Sequence, residues 1–115
     1  MASIKERIEL LDRIHAYERG LMEAKAHDYS GDEDCNKNIK ACETMGVTDA
    51  ETGLLIRMLD KLQRLISLNK ATAMVKDESK RDTLHDLRNY AAIYIHLMEE
   101  DERSRKETDR DTGPS

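Results

Sequence analysis

Residues 49–69 read DAETGLLIRMLDKLQRLISLN, and this stretch decides the fold class. Leu55, Met58, Leu59, Leu62, Leu65, Ile66 and Asn69 recur at spacings of three and four, which lays a wide, mostly apolar stripe along one helix. Thr48 and Glu51 fit a capping box, and Asp49 adds negative charge where the helix dipole is positive. The spacing predicts a helix over about Asp49 to Asn69. The stripe is wider than one neighbouring helix needs.

The same period recurs on both sides. Upstream, Ile4, Ile8, Leu11, Ile14, Tyr17, Leu21 and Ala24 mark a helix from about Ser3 to His27, with Ser3 and Glu6 as its capping box. Gly20 inside it costs about 1 kcal/mol against Ala, unless something approaches closely there. Asp28 to Asp32 reads as a turn. A short helix follows from about Glu33 to Met45 on Cys35, Ile39 and Cys42, and Gly46 is placed to end it. Downstream, residues 70–78 lose the period and read as a connection. Ser79 and Asp82 suggest a capping box for a last helix from about Lys80 to Glu99, on Leu84, Leu87, Ala91, Tyr94, Ile95 and Met98. From Glu99 onward seven acids and four bases leave almost nothing apolar, so a charged extension or frayed end is expected.

Composition agrees. The 115 residues allow one domain, here 1–98 with a charged extension over 99–115. Phe and Trp are absent and Gly plus Pro number six, which argues against a β-sandwich or barrel. The expectation is an all-α, four-helix antiparallel bundle. Because a chain without large aromatics builds a lean core, surplus apolar faces are expected to pack between subunits of a homo-oligomer, a dimer or a trimer of dimers. A net charge of −5 disfavours a coat for duplex DNA. No run approaches the roughly 20 apolar residues of a membrane span. The charged N-terminus MASIKERIELL has no apolar signal core, so a cytoplasmic location is expected. Cys35 and Cys42, two helical turns apart, are too distant for an intrahelical disulfide and read as small buried hydrophobes.

Three groups of residues can carry chemistry. Arg57, Lys61 and Arg64 fall at i, i+4 and i+7 and share one helix face. Clustered base in an acidic chain can hold an anion, with Arg suited to phosphate, or can be a solvated face paired with Asp60 and neighbouring acids. Asp82, Asp86 and Tyr90 fall at i, i+4 and i+8, with Arg88 and Asn89 on adjacent faces. Two carboxylates one turn apart can help bind a hard cation, or can salt-bridge to Arg57, Lys61 or Arg64. Glu23 and His27 are one turn apart near Asp28 and Asp32, a thin basis for a transition metal. His15, His85 and His96 have no spacing that suggests a site. No nucleophile elbow, P-loop or dinucleotide-binding glycine pattern occurs. No catalytic residue, metal ligand or cofactor is expected from the residues.

The order of the pieces carries more. Lys25-Ala26-His27-Asp28-Tyr29-Ser30 is followed by Arg57-Met58-Leu59-Asp60-Lys61-Leu62-Gln63-Arg64-Leu65, then by Ser79 and Asp82-Thr83-Leu84-His85-Asp86-Leu87-Arg88-Asn89-Tyr90-Ala91. A K-x-x-D-Y turn, an R-x-x-D-K-x-x-R-L helix and a D-T-L-x-D-L-x-N-Y helix in this order resemble the phage nucleotide-modification-associated domain family. That family includes the first described Thoeris anti-defence proteins. The resemblance covers about residues 20–98. It implies a nucleotide ligand and, in the anti-defence branch, a sponge that binds cyclic ADP-ribose isomers made by bacterial TIR enzymes without cleaving them. Some members also hold cyclic oligonucleotides. It further implies an oligomer with ligand sites built from more than one chain, working in the cytoplasm of an infected bacterium.

On that reading Arg57, Lys61 or Arg64 neutralises phosphate, and Asn89 reads an adenine edge with its paired donor and acceptor. Tyr90 or Tyr29 stacks on the base; with Phe absent, a stacking platform must be Tyr or His. Arg103, Arg105 and Arg110 fold over a neighbouring subunit's site. Two other readings stand beside this one. A MazG-like magnesium-dependent nucleotide pyrophosphatase would use an E-x-x-E such as Glu6 and Glu9, but a matching E-x-x-D in a second helix is missing. An inhibitor acting by protein–protein contact would use the acidic surface.

Overall fold

The computed structural model describes the backbone of residues 1–28, 35–70 and 76–111, and these form four helices and no strand. They are α1 (Ile4–Asp28), α2 (Lys37–Thr44), α3 (Ala50–Lys70) and α4 (Lys76–Asp111). Of the turn expected over Asp28 to Asp32, Asp28 instead ends α1 and the rest lies outside the described residues, as does most of the expected connection before α4. Among the described residues, no helix is long and apolar enough to cross a membrane. The chain divides into two compact units, Met1–Cys35 and Asn36–Ser115.

The first unit is α1. Its start is the capping box read from the sequence: the Glu6 backbone N–H donates to Ser3 Oγ at 3.1 Å, and the Ser3 N–H reaches Glu6 Oε2 at 3.4 Å. Ile4, Ile8, Tyr17 and Leu21 along its apolar side are exposed. Among the described residues, nothing lies within 4 Å of where a Cβ on Gly20 would stand, so no close approach explains that glycine.

The second unit holds the core. Ala50 and Leu54 in the first turns of α3 and Leu97 of α4 are buried together, with Ile39, Tyr90, Ile93 and Tyr94 packed against them. Lys61 meets Asp86 further along, at 3.0 Å. Advancing along α3 from Leu54 to Lys61 therefore means retreating along α4 from Leu97 to Asp86, so the two helices form an antiparallel hairpin.

The α2–α3 corner is fixed by named contacts. Gly46 adopts a left-handed φ of 75°, which a glycine takes without Cβ strain. The Val47 and Thr48 N–H groups both donate to the Cys42 carbonyl, at 2.8 and 3.2 Å. The cap of α3 is Asp49, not Thr48: the helix opens at Ala50, and Asp49 Oδ1 accepts the Thr52 N–H at 2.6 Å. Hydrogen bonds from the Thr52 hydroxyl and then its N–H hold the Asp49 carboxyl below the ordinary aspartate range. Glu43 Oε2 caps a second orphan donor, the Ala50 N–H, at 2.9 Å.

Gly53 lies where this corner is tightest. A Cβ there would stand 2.7 Å from Cys42 Sγ, which is already directed at the Ile39 and Asp49 carbonyls. Gly53→Ala is therefore expected to destabilise the chain by about 1–2 kcal/mol, because the overpacking penalty exceeds the helix-propensity gain. In a Cys42→Ala background the sulfur is gone, and the same change is expected to stabilise by about 0.5–1 kcal/mol. Urea unfolding of the four chains in this cycle checks the reversal of sign.

Three expectations are corrected here. Cys35 is exposed rather than buried, since it precedes α2 instead of lying on its inner face; Cys42 is half-buried as read. Ser79 does not cap α4. The helix begins at Lys76, so Ser79 is inside it and its carbonyl accepts the Thr83 hydroxyl at 2.7 Å. Nor does α4 end at Glu99: it continues to Asp111. Composition undervalued that segment because Glu, Arg and Lys are strong helix formers and pair one turn apart. Arg105 meets Asp101 at 2.7 Å, and the Thr108 hydroxyl donates to the Ser104 carbonyl.

Candidate functional site

At about 100° per residue, α3 sorts its side chains into three directions. Leu54, Met58, Lys61 and Leu65 turn toward α4 and are buried or half-buried. Leu55, Leu59, Leu62 and Ile66 form a separate exposed stripe on one flank. Arg57 and Arg64, with Asp60, lie on the opposite flank and are exposed. The base cluster and the surplus apolar surface are thus on opposite sides of the hairpin.

The three bases differ in their surroundings. Lys61 is engaged by Asp86 and only 27% exposed, so the salt-bridge alternative holds for this pair. Among the described residues, Arg57 and Arg64 have no carboxylate within ion-pairing distance. Helical rise sets them about 10 Å apart, and long side chains let both guanidinium groups converge on one anion. Asn89 lies on the same side of the hairpin, half-buried, close to the level of Met58 by the Lys61–Asp86 register.

The remaining candidates are distributed elsewhere. Tyr90 is half-buried against Ala50, Leu54 and Leu97, so its ring contributes to the core. Tyr29 lies outside the described residues. Arg103 and Arg105 are exposed on the last turns of α4, and Arg105 is paired with Asp101. Arg110 is in the same helix, but its side chain is outside the described ones. Glu6 is held in the α1 cap, and Glu23 is paired with Arg19 at 3.0 Å. Among the described residues, no three of His, Cys, Asp and Glu come together as a metal-binding group.

Sequence reasoning missed one cluster. Asn36, next to α2, is 3% exposed and donates through Nδ2 to Glu100 Oε1 at 2.8 Å. Lys40 Nζ takes the other carboxylate oxygen at 2.8 Å. His96 adds Nε2 at 3.7 Å from Glu100 and Nδ1 at 3.4 Å from Asn36 Nδ2. His96 and Glu100 are one helical turn apart, but Asn36 and Lys40 lie some sixty residues from them and leave no local spacing to read. Comparison with protein-family models, curated proteins and solved structures finds no match to this chain.

Proposed function

We propose that the chain binds and sequesters a cyclic nucleotide immune signal, a cyclic ADP-ribose isomer in the first instance, without cleaving it, as a phage anti-defence sponge. One observation carries the reading: Arg57 and Arg64 are exposed on one flank of α3 with no acidic partner among the described residues, in a chain of net charge −5. The Arg57–Arg64 pair suits a diphosphate, because guanidinium forks bind phosphate oxygens in pairs. Asn89 supplies an adjacent donor and acceptor for a base edge. The ordered motif series from Lys25 to Ala91 supports the same ligand class. In this reading the protein is a homo-oligomer in the host cytoplasm.

A sponge needs a slow off-rate and no preference for a transition state. The test is bind-and-release. The protein is mixed with a TIR-generated cyclic ADP-ribose, free ligand is filtered away, and the protein is heat-denatured. Intact ligand appearing only after denaturation supports sequestration; cleaved product or ligand free from the start rejects it. Arg57→Ala and Arg64→Ala are each expected to raise the Kd by about 10- to 100-fold, the worth of a charge-assisted contact. Titration calorimetry reads this, and an unchanged Kd removes the phosphate role.

A further inference from the structure

The exposed side of the hairpin opposite Arg57 and Arg64 has a pattern of its own. Along α4, Lys80, Leu84, Leu87, Ala91, Ile95, Met98 and Glu102 follow at intervals of 4, 3, 4, 4, 3 and 4 residues. At about 100° per residue they stay within a narrow sector, one stripe about 33 Å long. The intervals are the same in either direction from Ala91. The smallest side chain is at the centre, apolar ones flank it, and a base and an acid stand at the two ends.

On both helices the exposed stripe lies about a quarter turn past the side facing the partner helix. Because the helices are antiparallel, this sets Leu55, Leu59, Leu62 and Ile66 of α3 on the same side as the α4 stripe. Of the charged residues of α3, Arg57, Asp60 and Arg64 fall on the other side, Lys61 turns toward α4, and Glu51 and Lys70 stand at the two ends of the stripe.

We propose that this face binds a second copy of the chain, with α4 antiparallel to its counterpart across a two-fold axis at Ala91. That symmetry brings Lys80 opposite Glu102 twice, Leu84 opposite Met98 and Leu87 opposite Ile95. A two-fold contact must be self-complementary, and a palindromic stripe with opposite charges at its ends meets that condition. Ala91 on the axis lets the helices approach closely. The area suffices as well. Leu55, Leu59, Leu62, Ile66, Leu84, Ile95 and Met98 are each 48–58% exposed. Covering them removes roughly 700 Å² per copy, on the order of 1,400 Å² in total, within the range of stable interfaces. The proposal deepens the oligomeric reading above and is independent of the ligand. It leaves Arg57 and Arg64 facing outward on both copies.

The experiment uses the full chain without nucleotide. Sedimentation equilibrium is expected to give twice the chain mass. In a Cys35→Ser background, Ala91→Cys under mild oxidation is expected to cross-link at least about tenfold more than Asn89→Cys, because only the axial residue meets itself within disulfide range. Lys80→Glu and Glu102→Lys are each expected to weaken the dimer about tenfold, and the double variant to restore it. That restoration also shows that the single variants fold. A monomer at 100 µM (taken as about the top of the working range) overturns both self-association and this face, including the case in which α1 of the same chain occupies the stripe. An oligomer in which Ala91→Cys links no better than Asn89→Cys, or in which the double swap fails to restore affinity, overturns the face alone. The first outcome also removes the homo-oligomer from the reading above; neither outcome bears on whether Arg57 and Arg64 bind a nucleotide.

Discussion

Leu54→Ala is expected to cost about 3–4 kcal/mol and to lower the Tm by more than about 10 °C. Leu54 is 1% exposed and has the largest fully buried side chain among the described residues. Its removal leaves a cavity between the first turns of α3 and the middle of α4, walled by Ala50 and Leu97 and by the half-buried Ile39, Tyr90, Ile93 and Tyr94. No larger residue stands ready to collapse into the space: Ala50 is a methyl group, and both tyrosines keep part of their surface in water. In a core with three fully buried apolar residues among the described ones, such a loss is a large share of the 5–15 kcal/mol that holds a typical domain together. Leu10→Ala, at an exposed position of α1, is the control and is expected to change stability by about 0.5 kcal/mol or less. Guanidinium unfolding of both variants checks the contrast; equal midpoints would place the core elsewhere.

The helices were legible because each has a 3.6-residue apolar period, and the Ser3–Glu6 cap and Gly46 stop were legible because their signals are local. Misread boundaries had equally local rivals. Thr48 fits a capping box with Glu51, but the helix opens one residue later, where Asp49 Oδ1 accepts the Thr52 N–H and Glu43, from the preceding helix, holds the Ala50 N–H. Ser79 with Asp82 has a cap's spacing, but the helix begins three residues before it. Residues 99–111 lack apolar burial, so composition favoured fraying, yet their helix formers and one-turn charge pairs favour the helix. The candidate site was legible as a shared face, Arg57 with Lys61 and Arg64. Sequence could not tell which base keeps its charge available. That depends on Asp86, which the hairpin register brings to Lys61 and not to the two arginines.

Glu100→Ala is expected to release α2 while leaving the α3–α4 hairpin folded. An eight-residue helix is too short to persist alone, and α2 has no fully buried residue. Ile39 gives it one apolar anchor. Its C-terminal end is tied to α3 through Cys42 and Glu43, and its attachment to α4 runs through the Glu100 carboxylate, which accepts Asn36 Nδ2 on one oxygen and Lys40 Nζ on the other. Removing the carboxylate leaves Asn36 buried with that bond unmade and takes the Glu100 charge from Lys40, which costs about 2–3 kcal/mol. Glu100→Gln keeps one acceptor oxygen and loses the charge, so about half that loss is expected. The readout that separates this from core damage is amide hydrogen exchange. In Glu100→Ala the α2 amides, Lys40 bonded to the Asn36 carbonyl among them, lose protection, while those around Leu62 in the middle of α3 keep theirs. Leu54→Ala lowers protection in both places, because it removes the packing on which α3 and α4 depend together. If Glu100→Ala slows no α2 exchange rate and speeds none, Ile39 and the Cys42 and Glu43 contacts to α3 hold the short helix, and the polar cluster sets only its angle.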